Sequence, residues 1–156
     1  MSYKIAVIDD HVLVREGMIG VLAAESDFEI AGTGGSADEA CRIVMERKLD
    51  LIFLDVNMPG TGVAAAARIR SIAPGLPMIM FSFRQDLDIV QACLAAGAQG
   101  YVVKGVSGPE LIGIARKVLA GEQHLDQRLV HALASGAPTA PPTLGELVRS
   151  QARTPE

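Results

Sequence analysis

The chain contains no tryptophan, two tyrosines and four phenylalanines in 156 residues, so aliphatic side chains must fill whatever core it builds. It has two cysteines, Cys41 and Cys93. Both lie inside helical patterns and read as free, buried thiols rather than as a disulfide or a metal pair. The three histidines, His11, His124 and His131, are scattered and show no ligand spacing. No apolar run approaches the length of a membrane span, and no basic start leads into an apolar stretch. These absences predict a cytoplasmic protein without a membrane partner. Basic residues are a minority, 14 against 18 acidic for a net charge of −4. Phosphate neutralisation needs clustered Lys and Arg, so nucleic acid is not expected as a partner of this chain alone.

What the chain does have is a 49% hydrophobic content, enough for one domain with a short appendage. Short apolar runs at Lys4–Ile8, Phe28–Gly32, Leu51–Leu54, Met78–Phe81 and Gly100–Val103 read as strands. Helical patterns fill the gaps at Val12–Ala24, from Ser36 to about Arg47, Ala64–Ile72, Leu87–Ala96 and from Ser107 to Gly121. Ser36 to Glu39 and Ser107 to Glu110 have the spacing of a capping box. Five strands alternating with five helices predict an α/β fold: a doubly wound, flavodoxin-like parallel sheet in the order 2-1-3-4-5, with helices on both faces. The chain divides into a domain over 1–121, a helical extension over 122–134, and a Pro-rich linker and tail over 135–156 that is disordered or weakly helical.

The strand ends carry the chemistry. The first strand runs into Asp9-Asp10, the third into Asp55, the fourth into Ser82 and the fifth into Lys104. In the predicted strand order the chain reverses between strands one and three, and ligands of open α/β sheets bind at the carboxyl edge of such a switch point. Any one of these residues alone is better read as a cap, a turn hydroxyl or a solvated charge. Together they converge on one edge. Three carboxylates need a counter-charge, and a hard divalent ion such as Mg²⁺ supplies it. A hydroxyl and an ammonium beside that ion suit an anion rich in oxygen, phosphoryl above all. Asp55 at the centre can then act as the nucleophile that forms an acyl phosphate.

This set resembles the receiver domain of two-component response regulators over roughly residues 3–121, through Asp9-Asp10, Asp55 with Met58-Pro59-Gly60, Ser82, Tyr101 and Lys104. The resemblance implies that Asp55 is the phosphoacceptor and that Asp10, Asp55 and the Asn57 backbone carbonyl hold Mg²⁺, with Asp9 supporting the metal through water. It makes Lys104 the phosphoryl ligand, and Ser82 and Tyr101 the switch pair. The implied donor is the phosphohistidine of a sensor kinase or phosphotransfer protein, and a homodimer is a further possible partner. Asp9-Asp10-His11, Val14-Arg15-Glu16-Gly17 and Gly121-Glu122 are similar to the subfamily with a LuxR-type helix-turn-helix output domain. Transcriptional control, and DNA as a partner of a full-length form, follow from that similarity. The output domain either follows Glu156 in a longer protein or is absent from a single-domain regulator.

Three departures from the family pattern bear on kinetics. Phe83 follows Ser82 where a small residue is usual, the loop at Gly60-Thr61-Gly62 is one residue short, and Gly105 follows Lys104. Phe83 is expected to gate access to Asp55, and Arg84 to pair with phosphoryl oxygens, so that phosphate is gained and lost slowly. One alternative is a receiver-like interaction module that is poorly or not phosphorylated, for which Phe83 is the support. An enzyme of the haloacid dehalogenase type is disfavoured, because the second acid of that scheme falls at Asn57. The chain is thus read as a non-enzyme, with autocatalytic phosphate uptake and slow autodephosphorylation.

Overall fold

The computed structural model describes residues 2–83, 86–125 and 130–131. Along them run β1 (Tyr3–Ile8), α1 (Val12–Ala23), β2 (Phe28–Gly34), α2 (Ala37–Glu46), β3 (Leu51–Asp55), α3 (Gly62–Ile72), β4 (Met78–Ser82), α4 (Leu87–Ala95), β5 (Gly100–Val103) and α5 (Gly108–Leu119). The strands form one sheet in the order β2-β1-β3-β4-β5, and every pairing is parallel. This is the flavodoxin-like arrangement that the alternation predicts.

Side chains of a strand alternate between faces, and here that alternation divides the core in two. Ala6, Ile8, Ile52, Leu54, Met78, Met80 and Tyr101 point to the face covered by α2, α3 and α4. Ile5, Val7, Leu51, Phe53, Ile79, Phe81 and Val102 point to the face covered by α1 and α5. Leu51, Ile52, Phe53 and Leu54 are fully buried, each contributing about 1.5–3 kcal/mol through removal from water. β3 can therefore be apolar up to Asp55, whereas an edge strand such as β2 mixes buried residues with half-buried and exposed ones. Small residues on α2 and α3, among them Ala37, Ala40, Ala65 and Ala66, let both helices lie close over the sheet.

Several ends differ from the sequence reading, each for a local reason. β2 runs on to Gly34, and its register against β1 shifts between Ile5 and Ala6. α3 starts at Gly62 rather than Ala64, because Thr61 caps it by accepting the Ala64 N–H at 3.2 Å. At α2 the Ser36 hydroxyl accepts the Glu39 N–H, but the Glu39 carboxylate turns back to the Gly35 N–H rather than to Ser36. At α5 both halves of the capping box are made, between Ser107 and Glu110. The extension expected to be helical from 122 begins otherwise: His124 forms a parallel bridge to Gly100, and only Val130 and His131 among its later described residues are helical. The linker and tail over 135–156 lie outside the described residues.

Candidate functional site

All the strand-end residues singled out above meet at the carboxyl edge, and burial sets their electrostatics. Asp9 follows β1, Asp55 ends β3 and Ser82 ends β4, and all three are fully buried. Lys104 follows β5, and its N–H donates to the Ser82 carbonyl at 2.7 Å, which locks the end of β5 to the end of β4. Its side chain is only 6% exposed and bridges the two inner carboxylates, with Nζ 3.0 Å from Asp9 Oδ2 and 3.2 Å from Asp55 Oδ1. The ammonium also lies 5.0 Å from the ring centroids of both Phe81 and Phe83, within reach of cation–π attraction.

The two inner acids are not equivalent. Burial raises the Asp55 pKa to about 6, and the adjacent Asp9 carboxylate adds to the rise against the pull of the Asn57 N–H and Lys104. Burial acts on Asp9 too, but the backbone N–H of His11 and the Lys104 ammonium outweigh it and hold Asp9 below the usual carboxylate range. The His11 N–H donates to Asp9 Oδ1 at 2.8 Å. One buried acid is thus kept ionised and the other is kept short of compensation.

That shortage is visible in the atoms. The Asn57 N–H donates to Asp55 Oδ1 at 3.1 Å, while Asp55 Oδ2 is buried with no hydrogen-bond partner among the described residues. Buried polar atoms of this kind are rare and costly. Asp9, Asp10, His11 and Asp55 place one ligand atom each within 4.8 Å of one another. The donor set is rich in oxygen and holds an orphaned carboxylate oxygen, so a hard divalent cation such as Mg²⁺ fits it. Asn57 is exposed at the mouth, with Nδ2 3.4 Å from Ser82 Oγ. Tyr101 is buried on the face beneath α4.

One predicted residue stands differently from expectation. Phe83 is 64% exposed and meets the site through Lys104, so it flanks Asp55 rather than covering it. Arg84 lies outside the described residues. Two further residues went unassigned in the sequence. His11, read as lacking ligand partners, joins the acids, with Nδ1 3.3 Å from Asp9 Oδ1 and 3.2 Å from Asp10 Oδ1; its place directly after the acid pair at a strand end was the available signal. Arg15 donates from Nη1 to the Asp9 carbonyl at 2.9 Å and the Gly34 carbonyl at 3.2 Å, tying the ends of β1 and β2 together. A helical arginine carries no such mark in sequence.

The loop departures have a structural basis. Gly60 and Thr61 both take positive φ, at 84° and 63°, and this sharp turn brings α3 directly beneath the acceptor strand. A Cβ on Gly62 would stand 2.3 Å from the Asp55 carbonyl oxygen, so no larger residue fits there.

Known proteins share this arrangement. The response regulator receiver domain family matches residues 5–116. The DNA-binding transcriptional activator DevR/DosR of Mycobacterium tuberculosis is 37% identical over 132 residues, which is 83% of this chain and 60% of that protein. The oxygen regulatory protein NreC of Staphylococcus haemolyticus is 31% identical over 132 residues, 83% of this chain and 61% of that protein. This chain therefore spans about three fifths of the length of the curated relatives it matches. The crystal structure of a LuxR-family two-component response regulator from an Aurantimonas species superposes with a TM-score of 0.80 at 26% identity, covering 86% of this chain and 97% of that one. Strand order, strand-end residues and relatives agree: the chain belongs to the response regulator receiver domain family of two-component systems.

Proposed function

We propose that the chain is a phosphoryl-accepting switch in which Asp55 is the acceptor. The observation that carries this reading is Lys104 Nζ poised between Asp9 and Asp55, beside an Asp55 oxygen with no hydrogen-bond partner among the described residues. Asp55 attacks the phosphorus of a phosphohistidine on a sensor kinase or phosphotransfer protein, the P–N bond breaks, and the imidazole leaves. The Lys104 ammonium, held by two flanking rings, offsets the charge gathered on the transferring oxygens. Asp9, Asp10, Asp55 and the Asn57 carbonyl would hold Mg²⁺, which supplies further neutralisation of that charge. Ser82 lies next along the edge and meets the new phosphoryl, and Tyr101 answers from β5. The chain's own chemistry is the uptake of one phosphoryl group and its slow loss to water. Control of transcription is the output that the relatives' names suggest.

Intact-mass measurement with acetyl phosphate tests the acceptor. Wild type gains one phosphoryl group in Mg²⁺ and none in chelator, and Asp55→Asn gains none. Equal mass gain by Asp55→Asn would show that the acceptor lies elsewhere.

A further inference from the structure

The chain does not leave the domain when α5 ends. Gly121, at φ +94°, turns it back, and the Glu122 N–H donates to the Lys117 carbonyl at 3.1 Å. Residues 122–125 then run along the open edge of β5. The His124 N–H donates to the Gln99 carbonyl at 3.0 Å, and the Tyr101 N–H donates to the His124 carbonyl at 3.0 Å. This pairing is parallel, as in the sheet itself. Leu125 packs against the same core cluster that encloses Tyr101, whose side chain is 1% exposed. A groove of about 520 Å³ lies alongside, lined by Tyr101, Val103, Val106, Ile114, His124 and Leu125 among others.

We propose that residues 122–125 are a strap whose seat on β5 is thermodynamically linked to the state of Asp55, with Tyr101 as the shared element. The inference rests on the phosphoacceptor reading. Tyr101 presents two surfaces to the strap: its N–H, which His124 binds, and its ring, in the cluster that Leu125 joins. Three residues further along β5, about 10 Å for a strand, Lys104 contacts Asp55 and is tied to Ser82. A phosphoryl group that draws Ser82 and Lys104 inward fixes β5 from one end, and the strap fixes it from the other. Both favour the same arrangement, β5 closed against β4 with Tyr101 buried. Sites that favour one arrangement strengthen each other reciprocally. Among the described residues the strap pairs with the sheet edge through two main-chain bonds, to Gln99 and Tyr101, so its seating shifts in population as Asp55 is filled. The chain beyond residue 125 is then held at a defined exit from the domain for a larger share of the time when Asp55 is phosphorylated.

The test uses the 156-residue chain with Mg²⁺ and beryllofluoride as the phosphoryl mimic. Amide exchange at Tyr101 and His124 is expected to slow about tenfold on adding the mimic. Reciprocally, His124→Pro, which removes a donor, and Leu125→Ala, which leaves the main chain intact, are expected to bind the mimic about fivefold more weakly than wild type. Affinities equal to wild type, or tighter, in both variants overturn the strap while leaving the acceptor in place. A wild-type chain that takes up no mimic overturns the acceptor reading and, with it, a strap that relays its state.

Discussion

Asp55 is held in a setting that suits a reaction better than it suits stability. Its pKa is raised to about 6, so the folded state takes up a proton more readily than the unfolded chain. That contribution to stability is complete below the unfolded value, near 4, and is lost as pH rises through 6. Asp9 is shifted downward and works with the opposite sign, offsetting part of the loss. In chelator, Asp55→Asn should therefore gain on wild type as pH rises from 5 to 7, by about 1 kcal/mol. Urea midpoints measured across that range would decide it, and parallel curves for the two proteins would refute it. At the mouth, Phe83 shares Lys104 with Asp55. Phe83→Ala is expected to raise the rates of phosphate gain and loss several-fold, because the ring stands beside the approach to Asp55. Phosphorylation time courses and decay after donor removal read the two rates; if neither changes, the exposed ring has no part in access.

Elements were more legible than their ends. β3 announced itself because four apolar residues bounded by acids can only be a strand buried on both faces, and the structure buries all of Leu51–Asp55. The capping serines were legible for the same reason, since a hydroxyl three residues before a glutamate has a defined partner. The start of α3 was not. Its first helical residue is a glycine, a poor helix former, and the reason it stands there is the Asp55 carbonyl lying across the chain. Contacts between distant segments leave no periodic trace, and the same holds for Arg15 and for the seat of His124. Gly62→Ala tests the point directly: the added methyl collides with main chain, so a loss of about 1–3 kcal/mol is expected, of the size seen when a packed core is overfilled. Thermal denaturation reads the loss. A variant as stable as wild type would show that the turn at Gly60–Thr61 yields easily.

At the scale of the molecule, the order β2-β1-β3-β4-β5 decides which parts of the chain supply which charge. The acids at the site come from β1 and β3, within the first 55 residues, and the hydroxyl and the ammonium come from β4 and β5. Strand alternation and strand-end chemistry made this division readable from sequence, because both are local patterns. It has a consequence for the history of the fold. β1, β2 and β3 pair only with one another and with β4, so the carboxylates can be brought face to face before the final strand has docked. Without Lys104 from β5, the two buried acids would have no ammonium between them. The final strand of the sheet thus supplies the charge that balances the whole edge, and a sheet lacking it would be left with a repulsion at its centre.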